Sequence, residues 1–248
     1  PKIDQYERVY FLSTHQSKFF DLYLWEEGEC RRLTEQTVIA YDISPDGQEV
    51  MFISDSDGER QLYRLNMASG KIKPFPLELA NPIDLAWSPK GDRFAVVVNT
   101  RGDTDLYLAD LNGKVIRRVA GGATDETAPA WSPDGDKLVY VVTKLGHNQL
   151  VIWDGERNLP LTASEFEHIE PYWGADGKIY CVYGEKGYYQ GVTINPENGE
   201  ITPLRSFRET ILHALPTLDG RILSEVYTAQ EFKVYLWESK EVKTDADA

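Results

Sequence analysis

Ser44-Pro45-Asp46-Gly47 recurs as Ser88-Pro89-Lys90-Gly91 and as Ser132-Pro133-Asp134-Gly135, with weaker copies at Gly174-Ala175-Asp176-Gly177 and Thr217-Leu218-Asp219-Gly220. The spacing is about 42 to 44 residues, a period that belongs to propeller blades or solenoid units. Proline at the second position presets φ and glycine at the fourth closes a type I turn, so the tetrapeptide reads as a tight link between antiparallel strands. It places strands and carries no chemistry.

Working outward from the second repeat, strands are expected at 38–43, 49–54, 61–65 and 72–75. Four strands per repeat is the blade plan of a propeller. The third strand has six copies: Asp21-Leu22-Tyr23-Leu24, Gln61-Leu62-Tyr63-Arg64, Asp105-Leu106-Tyr107-Leu108, Gln149-Leu150-Val151-Ile152, Gln190-Gly191-Val192-Thr193 and Lys233-Val234-Tyr235-Leu236. The fold class expected is therefore all-β, a six-bladed β-propeller of four-stranded antiparallel blades in a single domain over 1–244. The blades fall near 1–35, 36–78, 79–121, 122–163, 164–206 and 207–244. Only Pro1-Lys2-Ile3 precedes the segment 8–12, so the first blade is expected to be incomplete or to close on a stub. Trp237-Glu238 matches Trp25-Glu26, which assigns 238–244 to the sixth blade and leaves 245–248 as a tail or the start of a linker.

The 248 residues are 42% hydrophobic and 12% aromatic, enough for a sizeable core, and carry a formal charge of −14. Such a surface repels nucleic-acid backbones and anionic membranes, leaving a cationic patch on a partner or dissolved cations as matches. No apolar run reaches the length of a membrane span, and no basic-then-apolar leader opens the sequence. The sequence starts at Pro1, as in a processed form or a piece of something longer, and the compartment cannot be read from it. Cys30 and Cys181 occupy different repeats and different repeat positions, so they are expected to be unbridged.

The Asp-Leu-Tyr-Leu strand, a Leu-Thr ending such as Arg31-Arg32-Leu33-Thr34, and Ala130-Trp131-Ser132-Pro133-Asp134-Gly135 together resemble the repeat of TolB-type propellers. The same repeat occurs in the amino-terminal propellers of prolyl oligopeptidase-family serine peptidases, toward which Arg8-Val9-Tyr10-Phe11-Leu12-Ser13 leans. The resemblance is close over blades two to four and loose over one, five and six. For TolB it implies a periplasmic or extracellular protein-binding platform. For the peptidases it implies a cytoplasmic cap that restricts entry to short peptides. Neither companion domain is in this sequence.

No Gly-x-Ser-x-Gly elbow occurs, and His15, His147, His168 and His213 have no nucleophile and acid at a recognisable spacing. A His-Glu-x-x-His helix, a paired Cys-x-x-Cys set and a glycine-rich phosphate loop are also missing. Binding is therefore expected on the loop rim opposite the Ser-Pro-Asp-Gly turns, where Asp55-Ser56-Asp57-Gly58-Glu59 and the segments 99–103, 121–126, 164–168 and 230–231 gather acidic groups. Four residues before each turn stand Ala40, Asp84, Ala128, Glu170 and His213, a register that lines the upper channel. Two carboxylates and an imidazole there suit a channel cation or a protonated amine, with a merely solvated channel as the alternative. Trp87, Trp131 and Trp173 share one repeat position and read as wedges between sheets. Asp55 with Asp57, and Asp103 with Asp105, read as turn-stabilising pairs.

The expected binding set is Asp84, Glu126, Glu167, His168, Glu170, Tyr188, Tyr189 and His213, with no catalytic residue, no metal ligand set and no cofactor beyond a channel cation. The function expected is a non-catalytic module that binds or gates a peptide or protein partner, without nucleic-acid binding or membrane insertion. One alternative is the substrate-gating cap of a prolyl oligopeptidase-family peptidase whose hydrolase domain lies outside this chain. A third is a metal-dependent propeller enzyme using Asp84, Glu170 and His213.

Overall fold

The computed structural model describes residues 1–248 except 16, 57, 101, 163–166, 186–187, 205–209, 218–220, 228–231 and 239–248. The described residues form strands and turns, without a helix. Every sheet is built from consecutive strands in simple antiparallel order. Those of the second sheet are Val38–Ile43, Glu49–Ser56, Glu59–Asn66 and Lys71–Pro74, one to two residues from the expected bounds. The first strands of neighbouring sheets, among them Val38–Ile43, Pro82–Trp87, Asp125–Trp131 and Glu167–Trp173, touch one another and so surround a central axis. This is a propeller.

The expectation of six four-stranded blades is met in part. Five sheets have four strands, whereas the sixth has three among the described residues: Thr210–Pro216, Arg221–Tyr227 and Phe232–Glu238. Its proposed fourth strand, after Glu238, lies outside the described residues. The first sheet has four strands, because Lys2–Ile3 is a two-residue innermost strand that pairs with Val9 and Tyr10. The stub suffices because a turn at Asp4 to Glu7 replaces the Ser-Pro-Asp-Gly turn, with the Glu7 N–H donating to the Asp4 carbonyl and Glu7 itself at φ 61.

Local hydrogen bonds explain the repeated tetrapeptide. The Gly47 N–H donates to the Ser44 carbonyl at 2.8 Å, Ser44 Oγ donates to Asp46 Oδ1 at 2.6 Å, and the Glu49 N–H returns to Ser44 Oγ at 2.9 Å. Ser132, Asp134 and Lys137 repeat the pattern. Glycine is needed at the fourth position because φ there is 65, 71 and 69° in the three best copies. Asp46 and Asp134 titrate below the usual carboxylate range, held down first by the serine hydroxyl and then by a turn N–H. The Leu-Thr endings are equally mechanical: Thr34 Oγ1 accepts the Leu22 N–H and Thr162 Oγ1 accepts the Leu150 N–H, both at 3.0 Å.

Apolar clusters lie between sheets. Met51 and Ile53 of the second sheet meet Trp87, Phe94 and Val96 of the third. Ala95 and Val97 of the third meet Trp131 and Tyr140 of the fourth, and Val139 and Val141 of the fourth meet Trp173 and Cys181 of the fifth. All three tryptophans are 7% exposed, as expected of wedges. Polar ties reinforce the seams: Arg8 Nη2 donates to the Gly47 carbonyl, Arg93 Nη2 to the Gly135 carbonyl, and Trp131 Nε1 to the Ala86 carbonyl at 3.0 Å. Cys30 and Cys181 are both free, and burial pushes the Cys181 thiol up to about 12.

The wedges are not equivalent. Trp87 Nε1 is buried without a hydrogen-bond partner, whereas Trp131 Nε1 crosses the seam. Replacing either indole with phenyl removes similar volume, but Trp131→Phe also removes the cross-seam bond to the Ala86 carbonyl. Urea unfolding should show Trp131→Phe costing about 1 kcal/mol more than Trp87→Phe. Equal losses would remove the cross-seam bond from the account of stability.

Candidate functional site

The innermost strands bring charged side chains of several sheets together at two successive levels near the axis. In the register four residues before the turn stand Ala40, Asp84, Ala128, Glu170 and His213. Two residues later come Asp42, Ala86, Ala130 and Tyr172, and Lys2 takes this place in the first sheet. Lys2 Nζ lies 2.8 Å from Asp42 Oδ1 and feels the charges of Asp84 and Glu170, which belong to the third and fifth sheets. Burial is the largest single influence and lowers the affinity of Lys2 for its proton, but Asp42, Asp84 and Glu170 together outweigh it and leave the ammonium above its ordinary value. The cation that the channel carboxylates suit is thus met by the chain's own lysine.

The carboxylates also hold neighbouring sheets together. Asp42 Oδ2 accepts the Trp87 N–H at 2.5 Å, and Asp84 Oδ2 accepts the Ala128 N–H at 3.1 Å. A recurring irregularity explains why Ala128 offers that N–H. In each of the second to sixth sheets the innermost strand shifts register at this level, between Val38 and Ala40, Thr127 and Ala130, or Ile169 and Tyr172, for example. Ala128 and Glu170 adopt φ of 49 and 53°, each directly before a proline. A bulge withdraws its N–H from the ladder, and the carboxylate of the preceding sheet supplies an acceptor. Burial raises the Asp84 carboxyl to about 6, with Lys2 opposing and Glu170 adding to the shift.

The remaining expected residues divide. Glu126 is 2% exposed, so its assignment to a partner-binding rim is corrected: Oε1 accepts from Thr124 Oγ1 at 2.6 Å, Oε2 is buried without a partner, and burial raises its pKa. The cause is the seam between the third and fourth sheets, where Thr104 Oγ1 donates to the Glu126 carbonyl at 2.8 Å. Glu167 accepts from Tyr189 Oη at 2.9 Å, and that bond raises the tyrosine pKa. The Tyr189 ring lies over Gly184, where a Cβ would stand 2.7 Å from it. Glu170 is exposed. The side chains of His168, Tyr188 and His213 lie outside the described residues, as does Asp57. Asp105 is buried and pairs with Arg118 Nη2 at 2.8 Å, a device repeated by Asp21 and Arg32 at 2.8 Å.

Sequence reasoning missed Lys2, Asp42 and Tyr172, though the period of two that selected Asp84 and Glu170 extends to their layer. It also missed a cleft of about 520 Å³ on the loop side between the first and second sheets. Phe19 and Ile39 form its apolar wall, and Asp21, Glu35 and Asp55 line it with carboxylates. Phe19 is 61% exposed and is followed by Phe20 at 54%. Asp21 and Asp55 have arginine partners, whereas Glu35 has no ion pair among the described residues.

The TolB beta propeller domain profile of the PD40 family matches residues 78–219. The chain belongs to this family. Its fold resembles that of the putative TolB from Agrobacterium tumefaciens, at 21% identity and a TM-score of 0.71 over 83% of this chain and 76% of that one. The β-propeller domain of the Trilobed protease from Pyrococcus furiosus, described as having an open velcro topology, is 17% identical over 94% of this chain and 92% of that one, with a TM-score of 0.63. The acylaminoacyl peptidase from Pyrococcus horikoshii is 15% identical over 97% of this chain, with a TM-score of 0.63, and this chain spans 51% of it. A search of curated proteins returned no significant match.

In this TolB-type propeller Asp84 gives the channel a measurable pH signature. Its carboxyl holds a proton in the folded chain up to about pH 6, whereas the ordinary value is 3.8. The stability it contributes is therefore complete below the ordinary value and is lost as pH rises through about 6. Asp84→Asn keeps an acceptor for Ala128 and removes that slope. Thermal unfolding across this range should show the variant gaining on the parent with rising pH, by at most about 3 kcal/mol. Parallel stability curves would contradict the assignment.

Proposed function

We propose that the chain is a non-catalytic propeller module of six blades that binds or gates a peptide or protein partner through its acidic loop face and channel mouth. The observation that carries this reading is the loop-side cleft, where exposed Phe19 and half-buried Ile39 stand beside Asp21, Glu35 and Asp55. An apolar wall with a few charged groups is the usual make-up of a recognition site. Its charge selects a basic segment, since the stem of an arginine or lysine can lie along the aromatic wall while its head meets Glu35 and Asp55. Glu170 extends the acidic surface into the channel. Glu126 has no part in this contact.

The alternative of a substrate-gating cap for a prolyl oligopeptidase-family peptidase draws on the likeness to the Pyrococcus horikoshii enzyme, about half of which this chain spans. In that setting the same cleft and channel mouth would meet peptide substrates. The metal-dependent reading has less behind it: Lys2 already answers the channel carboxylates, and no group of three His, Cys, Asp or Glu converges as a metal site among the described residues.

The test is binding of a short labelled peptide rich in arginine and lysine, followed by fluorescence anisotropy against its acidic counterpart of equal length. The basic peptide should bind, and more weakly as salt rises. Glu35→Lys with Asp55→Lys should lower its affinity at least about tenfold, while circular dichroism stays unchanged. Undiminished binding by the double variant would sink the placement.

A further inference from the structure

A second cleft, of about 430 Å³, lies on the turn side of the second sheet, away from the loop face and independent of the reading above. Glu49, Arg64, Asn66, Ser69, Lys71 and Lys73 line it. Strand register brings them together: Glu49 stands opposite Asn66 and Asn66 opposite Lys71, while two residues along the same face Met51 stands opposite Arg64 and Arg64 opposite Lys73. Arg64 and Lys73 are thus like charges in directly opposed positions, an arrangement that weakens a sheet. Three cations share the cleft with one carboxylate, Glu49, whose Oε2 is 3.6 Å from Arg64 Nε. The chain has 40 acidic residues and 26 basic ones, so this excess of positive charge runs against its overall composition.

The cleft is also organised. The Arg64 guanidinium lies 5.0 Å from the Phe75 ring centroid and 6.0 Å from that of Trp87, and its Nη2 reaches the Leu111 carbonyl of the third sheet at 3.5 Å. Its Nε is buried without a hydrogen-bond partner among the described residues. Asn66 Oδ1 accepts both the N–H and the hydroxyl of Ser69, at 3.0 and 2.8 Å, which directs the amide's remaining capacity to donation from Nδ2. A held guanidinium, two exposed ammonium groups and an amide donor form an environment of donors around a central space. The guanidinium fork matches tetrahedral oxyanions, and the lysines add point charge.

We infer that this cleft binds an oxyanion of the phosphate class, with Arg64 as the fixed donor and Lys71 and Lys73 as the neutralising pair. Binding an anion would relieve the repulsion between Arg64 and Lys73.

The intact protein is titrated with inorganic phosphate by calorimetry, with ionic strength held constant by chloride, and in parallel with O-phosphoserine. Saturable binding of one equivalent of either probe supports the site, and the tighter probe tells free from esterified phosphate. Lys71→Gln with Lys73→Gln should weaken binding at least about tenfold, and Glu49→Gln should strengthen it by removing the competing carboxylate. Both lysines are exposed, so the double variant is expected to melt no lower than the parent in phosphate-free buffer. Saturation by neither probe, or equal binding by parent and double variant, would overturn the inference.

Discussion

A four-stranded sheet with apolar residues on both faces can hide neither by itself. Leu106 and Leu108 on one face and Ala109 on the other are all at most 2% exposed, and they meet different neighbouring sheets. Every other feature answers this need. Tryptophans placed before the turns fill the space between sheets that diverge from the axis. Arginines span the seam to the next turn, and Asp42 and Asp84 span it to the next innermost strand. Removing water from the seam is the large term, and the polar ties pair groups that the seam encloses.

What could be read from the sequence divides along the same line. The Ser-Pro-Asp-Gly turns and the Leu-Thr endings depend on hydrogen bonds within one repeat, so the residues concerned keep fixed offsets and announce themselves. The wedge tryptophans were legible because the same neighbour recurs at every seam. Glu126 was misread because its offset places it in a loop segment, while the adjoining sheet decides that it is buried. The channel was half legible. Asp84 and Glu170 stood out as charges at a repeated register, but Lys2 precedes a turn without serine, proline or glycine, so the repeat did not reveal its layer.

The channel is thereby more reserved than a ring of carboxylates implies. Lys2 offsets charge contributed by three other sheets, and Asp42 is shared between that ammonium and the Trp87 amide. A ligand entering at this level must displace an internal partner, whereas one at the loop-side cleft meets Phe19 and Glu35 already open to solvent. That difference favours the rim for the proposed contact, with the channel mouth as its extension.

Because each sheet is made from one uninterrupted stretch of chain, nearly all strand pairing is between close neighbours in sequence. The molecule is in this sense a short linear array bent around an axis, whose units pack chiefly through adjacent seams. Ordering can begin in any unit and spread to its neighbours, without a long loop closing first. A lesion in one seam should then loosen two units and leave the distant ones paired.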